Sequence, residues 1–220
     1  MFVYDDIRAI ITKQNYLLPV RPTVDLFGHR TYNENNTISL SCKIQSVPIA
    51  EIKWSFADRI IDSTVLVSVN NTSQVSTLTI RRAGCLSMGS YMCLARNFIG
   101  EDNKSINIDI KCSPRINDFE YNISTSIAVK DQASLNFTVP IIAYPKPNIY
   151  WTHISSGTIL NVTQKTSNVF LTNRVFSTLY IADITTADYG LYRIYAVNDI
   201  GKTENLIHTY EVIPKRKYTL

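Results

Sequence analysis

Glycine is scarce in this chain, 7 residues in 220, and histidine scarcer still, with His29, His153 and His208 standing far apart. The first shortage leaves no phosphate-cradling glycine loop and no G-x-S-x-G elbow. The second leaves no H-E-x-x-H motif and no acid or nucleophile spaced about a histidine as a triad. No stretch approaches the twenty or so apolar residues that a membrane span needs. The N-terminal "MFVYDDIRAIITKQ" is broken by charge before any apolar h-region or small-residue cleavage pattern, so no signal peptide is read there. The net charge is +4, the basic residues are dispersed, and the densest cluster is "PKRK", Pro214 to Lys217. A nucleic-acid interface needs a denser basic stripe. Paired acids such as Asp5–Asp6 and Glu101–Asp102 lie in polar stretches and read as solvated loops. These absences argue for a non-enzymatic chain with no cofactor, no metal, no nucleic-acid partner and no membrane insertion of its own.

What the chain has is tyrosine, 13 residues, together with abundant Val, Ile and Thr, a composition suited to pleated, half-buried strands. Period-two alternation marks the strands. "TISLSCKI" aligns Ile38, Leu40, Cys42 and Ile44. "AEIKWSF" aligns Ile52 with Trp54, and "SINIDIKC" aligns Ile106, Ile108 and Ile110. A second series follows in the same order: "SLNFTV" with Leu135, Phe137 and Val139, then "AYPKPNIYW" ending at Trp151, then "LIHTYEVI". "STLTI" is matched by "STLYI". "SMGSYMCLARNFIG", Ser87 to Gly100, is matched by "DYGLYRIYAVNDIG", Asp188 to Gly201, 101 residues later. Gly89, Tyr91, Ala95, Asn97 and Gly100 recur as Gly190, Tyr192, Ala196, Asn198 and Gly201. Two all-β units of about a hundred residues each are predicted, a size that supports a sandwich core. "KCSPRI" joins them with almost no spare residues, which predicts a short, stiff junction. Residues 1–22 match neither unit and read as a loose leader or the remnant of a preceding domain; 215–220 form a basic tail.

A cysteine, a tryptophan twelve residues on and a second cysteine 51 residues from the first, Cys42, Trp54 and Cys93, resemble the immunoglobulin superfamily. The two copies of the Gly-x-Tyr stretch resemble its I-set pattern, and the resemblance covers Thr23 to about Pro214. It implies two tandem immunoglobulin-like β-sandwiches of Greek-key type, at 23–112 and 113–214. It also implies a Cys42–Cys93 bridge between facing sheets with Trp54 packed on it, and tyrosine corners at Tyr91 and Tyr192. Asp188 matches the acid usual before Gly-x-Tyr, whereas Ser87 departs from it and puts a local salt bridge of the first unit in doubt. In the second unit Cys42 is aligned with Phe137 and Cys93 with Ile194, an apolar plug beside Trp151. A two-residue slip of that strand is the alternative alignment. Closing a loop of about fifty residues is worth roughly 4 kcal/mol on the chain-entropy model. Burial of Phe and Ile contributes roughly 1.5–3 kcal/mol each, enough to offset the missing bridge. Cys85 and Cys112 fall at the same end of such a sandwich, either as a second bridge or as two free thiols. A zinc site lacks its C-x-x-C pair.

Asn-x-Ser/Thr occurs at Asn35, Asn70, Asn71, Asn103, Asn122, Asn136 and Asn161, more often than this chain's Ser and Thr content gives by chance. Asn70 and Asn71 overlap, so one glycan is expected there. The resemblance and the sequons together predict an extracellular, N-glycosylated fragment of an adhesion or receptor protein that binds a protein partner. The alternative is an intracellular structural array of the muscle type, which a domain without a bridge would suit. Expected contact elements are "AEIKWSF" and "NFIGEDNK" in the first unit, and "AYPKPN" and "VNDIGKT" in the second.

Overall fold

A computed structural model describes residues 18–118, 121–155, 158–161, 166–200 and 206–215. Most of the expected leader and tail, 1–17 and 216–220, lies outside them. Along the chain run β1 (Val20–Phe27), β2 (Thr31–Asn33), β3 (Ile38–Val47), β4 (Glu51–Phe56), β5 (Arg59–Ile60), β6 (Val67–Asn71), β7 (Val75–Ile80), β8 (Gly89–Asn97) and β9 (Gly100–Ile116). There follow β10 (Ser126–Val129), β11 (Leu135–Tyr144), β12 (Asn148–Ser155), β13 (Thr158–Asn161), β14 (Thr166–Phe170), β15 (Arg174–Ile181), β16 (Gly190–Val197) and β17 (Leu206–Pro214). The chain is all-β and divides into two compact units. Residues 18–30, 37–81 and 89–108 make the first; 31–36, 82–88 and 109–215 make the second.

In the first unit β1, β3, β7 and β6 form one sheet, and β5, β4, β8 and the 100–108 part of β9 form the other. Alternation puts Ile38, Leu40, Cys42 and Ile44 inward with Leu78, Ile80, Trp54 and Ala95, all of them buried. Cys42 and Cys93 are bridged across this core, with Cα atoms 6.5 Å apart. Strand β1 begins at Val20, inside the region expected to be a loose leader. Main-chain pairing with Val47 and a hydrogen bond from Asn97 Nδ2 to the Val20 carbonyl, 2.9 Å, hold it there.

In the second unit β14, β15, β11 and the 109–116 part of β9 make one sheet, and β10, β17, β16, β12 and β13 the other. Trp151, Tyr192, Ile194, Leu179, Val139 and Tyr210 fill its core. The Cys85 and Cys112 sulfurs are bonded, and these residues sit beneath Ile142, Leu86 and Tyr144.

The register corrects the proposed plug. Cys42 lies opposite Ser76, and Ser76 accepts the Trp54 Nε1 hydrogen bond at 2.7 Å. The residue opposite the matching serine, Ser177, is Val139, and Ser177 accepts from Trp151 Nε1 at 2.9 Å. Val139, not Phe137, therefore takes the place of Cys42. Ile194 pairs with Trp151 as Cys93 pairs with Trp54. Phe137 stands two residues earlier, opposite Leu179, half-buried with its ring 4.7 Å from that of Tyr210. Three apolar residues in alternation, Leu135, Phe137 and Val139, share one face and could not by themselves choose between these positions.

The recurring Gly-x-Tyr has a steric cause. Gly89 and Gly190 have φ of 148° and 139°, which side chains rarely adopt. A Cβ on Gly190 would come 2.7 Å from the Ile154 carbonyl oxygen. Two residues on, the Tyr192 hydroxyl donates to the Asp188 carbonyl at 2.9 Å, closing a tyrosine corner. The Asp188 carboxylate accepts from the Thr185 amide and hydroxyl and so caps the start of the Thr186–Asp188 turn that it ends. In the 85–87 turn, where Ser87 stands, Glu34 Oε1 accepts instead from the Cys85 amide at 3.1 Å.

Exchanging Val139 and Ile194 together for cysteine is expected to close a bridge in the second unit, seen as a loss of two hydrogens by mass. The loop entropy is worth about 4 kcal/mol, less roughly 1 kcal/mol for each truncated side chain, so the oxidised variant melts higher. Phe137→Cys with Ile194→Cys is expected to keep two free thiols; a bridge there would restore the discarded register. A second test is alkaline unfolding. Burial pushes the phenols of Tyr91 and Tyr192 well above their ordinary value, with the Asp188 charge adding at Tyr192, and pushes Tyr210 up to about 12. In the unfolded chain these groups ionise near pH 10. Their contribution is therefore whole below about pH 10 and is lost as pH rises toward the folded value. Melting temperature should fall between about pH 10 and 12, less steeply in Tyr210→Phe.

Candidate recognition surface

The repeated asparagine explains why the expected contact loops are well-formed turns. Asn97 Nδ2 donates to the carbonyls of Val20 and Pro48, while its Oδ1 accepts from the amides of Ile99 and Gly100. Asn198 does the same in the second unit, reaching the carbonyls of Cys112 and Pro145, both at 2.9 Å, and accepting from Ile200 N. One carboxamide thus pins two chain segments and its own turn. In "NFIGEDNK" the pinned turn presents Phe98, 76% exposed, and Ile99. In "AYPKPN" the Lys146 ammonium lies 3.7 Å from the centre of the Phe170 ring. Tyr144 there donates to Asp109 Oδ2; burial and then the Asp109 charge raise its phenol above the ordinary value. "VNDIGKT" is described only to Ile200; its remainder lies outside the described residues.

"AEIKWSF" holds strand β4, as its alternation predicts, and the outward face of that strand is charged. Glu51 and Lys53 pair at 3.0 Å, and Arg96 and Glu101 face each other at 3.9 Å on β8 and β9. Such exposed pairs contribute little to stability. Sequon residue Asn103 lies on this same face, opposite Leu94.

The corresponding face of the second unit differs in kind. Its rows read Ile207–Tyr195–Tyr150 and Glu211–Leu191–Ile154 across β17, β16 and β12. Tyr150 and Tyr195 stack with ring centres 4.6 Å apart and planes 7° from parallel. Ile207 is 58% exposed, Tyr150 41% and Leu191 39%. Arg193 lies between the rows and donates to Thr209 Oγ1. Aromatic residues with arginine on a weakly charged ground match the composition of protein interfaces. Sequence reading did not single out this face, because strand alternation gives outward and inward tyrosines the same signal. Pairing with Ile194 through Trp151 settles which side is which.

Of the sequon residues, Asn35, Asn70, Asn71, Asn103, Asn122 and Asn136 are exposed, while the side chain of Asn161 is outside the described set. Asn161 is in register with Thr152, on β13 at the edge of the tyrosine face. Asn71 also accepts a short hydrogen bond from Ser76 through Oδ1, extending the Trp54–Ser76 link. Of the histidines, His153 is buried and stacks on Tyr192 at 4.2 Å, and His208 packs beside Tyr210. Among the described residues no group of three or more His, Cys, Asp or Glu is placed to hold a metal ion. Nor is any helix among them long and apolar enough to cross a membrane.

The sequence model of the immunoglobulin I-set domain matches residues 25–110 and 118–208. Neural cell adhesion molecule 1 of Mus musculus is 26% identical over 184 residues, covering 78% of this chain and 16% of its own length. Hemicentin-1 of Homo sapiens is 29% identical over 180 residues, covering 80% of this chain and 3% of its own. The chain thus spans a small part of the relatives it matches. Among solved structures, a titin immunoglobulin tandem superposes with a TM-score of 0.69 at 18% identity, covering 91% of this chain and 100% of that one. A chain from the crystal structure of Dpr2 Ig1-Ig2 in complex with DIP-Theta Ig1-Ig3 gives 0.62 at 19%, covering 90% and 66%. At such identities the structures speak to the fold alone.

Proposed function

The chain belongs to the immunoglobulin I-set family, and from that premise we propose that it is a non-enzymatic extracellular recognition module. Its two domains, at 23–112 and 113–214, would carry N-linked glycans, and the second would engage a protein partner through the outward face of β12, β16 and β17. The observation that carries this is the stacked Tyr150–Tyr195 pair flanked by exposed Ile207 and Leu191. Contiguous apolar surface of this kind, on a sheet whose inner side is already filled, marks an interaction site. Two bridged cysteine pairs and six exposed sequon asparagines support an oxidising, secretory origin. The likeness to neural cell adhesion molecule 1 supports an adhesive role. Within the second unit, Asn136 lies on the opposite sheet and Asn161 only at the β13 edge, so their glycans would leave the centre of the tyrosine face open.

A test is binding of the multimerised full chain to the surface of cells that produce it. Tyr195→Ser or Ile207→Asp is expected to weaken binding by about 30-fold, as for an interface hot spot. Lys53→Glu, on the charged face of the first unit, should change it less than about threefold. Equal losses from both faces would remove the tyrosine surface from the reading.

The second reading, an intracellular structural array, draws on the second core, where Val139 and Ile194 stand in place of a bridged pair. Thiol titration of protein from its native source, with mobility before and after glycosidase, separates the two. The extracellular reading expects no titratable thiol and a clear mobility shift; four free thiols and no shift would establish the array instead.

A further inference from the structure

The opposite outward face of the second unit, on β11, β15 and β14, carries Tyr180 and Phe176 where the first unit carries Thr79 and Val75. Across β3 and β7 the outward pairs are Ser39–Thr79, Ser41–Thr77 and Lys43–Val75. At the matching places across β11 and β15 they are Asn136–Tyr180, Thr138–Thr178 and Pro140–Phe176. Tyr180 is 52% exposed, and Val169, opposite Phe176 on β14, 57%. Tyr121 meets the Phe176 ring edge-on at 5.8 Å. A water-exposed aromatic strip of this kind calls for a cover, and the face holds its own means of acquiring one. Asn136-Phe137-Thr138 is a sequon, and Asn136 lies directly across the strand pair from Tyr180. Thr138 Oγ1 lies 2.8 Å from Thr178 Oγ1, one row further along.

We infer that the N-linked glycan of Asn136 lies on this face, its first sugar packed against the Tyr180 ring, and is a structural part of the second sandwich. The inference rests on the extracellular reading, which supplies the glycan. Attachment joins C1 of an activated oligosaccharide to Asn136 Nδ2. The bond from C1 to the lipid diphosphate of the donor breaks, the diphosphate leaves, and Nδ2 gives up one proton. Directly opposed residues on one sheet face have Cβ atoms about 5 Å apart, so a sugar on Asn136 reaches Tyr180 without any rearrangement of the backbone. The C–H groups on one face of the pyranose meet the electron-rich face of the phenol ring. The same contact takes Tyr180 out of water. In the first unit no such contact is available, because Thr79 stands where Tyr180 does and Ser39 where Asn136 does.

The test uses the full chain secreted from eukaryotic cells, with occupancy of Asn136 read by glycopeptide mass. Hydrogen exchange of the β11 and β15 amides then assigns the melting transition of the second unit. Trimming to a single N-acetylglucosamine is expected to leave that transition unchanged. Asn136→Gln should lower it by roughly 2–5 °C, the size of one cross-strand packing pair in a domain of about a hundred residues. In a Tyr180→Ala background the same Asn136→Gln exchange should have no further effect. The inference is overturned if Asn136→Gln costs as much without Tyr180 as with it. It is overturned too if Asn136 is bare while other sequons are occupied. A secreted chain bare at all seven sequons overturns the glycoprotein reading itself.

Discussion

Burying a tryptophan between two sheets brings an indole N–H that must find an acceptor away from water, and both sandwiches meet that demand in the same way. Trp54 and Trp151 are 1% and 0% exposed, and each donates to a serine hydroxyl of the facing sheet that is itself fully buried. An orphaned donor there would cost about 1–3 kcal/mol. The bond is short and directional, so it fixes β4 against β7 in the first unit and β12 against β15 in the second. The pairing of each serine with its neighbouring strand then determines which residue faces the tryptophan across the core. That residue is Cys42 in one unit and Val139 in the other. A covalent bridge can be given up in the second sandwich because the Trp–Ser link, which sets the register, is kept.

Much of the fold was legible in the sequence because it is written in spacing. Alternation, the Gly-x-Tyr stretch and its repetition 101 residues on locate the central strands and the two units without reference to any contact. The exchange partner of Cys42 was not legible in the same way. "SLNFTVPIIAY" is apolar at too many consecutive positions for hydrophobicity to choose among them, and the residue that chooses, Ser177, lies on a different strand. The repeated serine in "STLTI" and "STLYI" was the available signal, and it has force only once its hydrogen bond to tryptophan is known. Strand β1 was not read from the sequence, for a related reason. Val20 is held through its backbone, by Val47 and by Asn97, and backbone pairing leaves little trace in side-chain pattern.

The candidate surface was the least legible feature. Contact was expected in loops, on the general ground that loops carry function. Here the conspicuous loops are fastened from within by Asn97 and Asn198, and the distinctive chemistry lies on strand faces. A tyrosine in a strand reads as core by default. Tyr192 and Tyr210 obey that default, and Tyr150, Tyr180 and Tyr195 do not. Only register tells them apart. With register in hand, the second sandwich shows one aromatic face bearing a sequon and another, centred on Tyr150 and Tyr195, with a sequon residue only at its β13 edge. A bulky, solvated modification on the first would turn that side toward water and leave the second for a partner.

The core of the second unit, without a bridge of its own, suits a reducing compartment but does not require one, since packing among Val139, Ile194 and Trp151 is indifferent to thiol chemistry. Beside the exposed sequons, the argument for an oxidising compartment therefore rests on the four cysteines, and these divide into two kinds. Cys42 and Cys93 lie inside a filled core, where apolar residues can substitute, as the second unit demonstrates. Among the described residues the apolar cluster at Cys85 and Cys112, made with Ile142, Leu86 and Tyr144, is much smaller. A crosslink gives most where burial gives least, because hydrophobic stabilisation scales with the area removed from water. The pair in the smaller cluster is thus the more informative of the two. Its atoms are within bonding reach, while little other packing would explain bringing two cysteines together there.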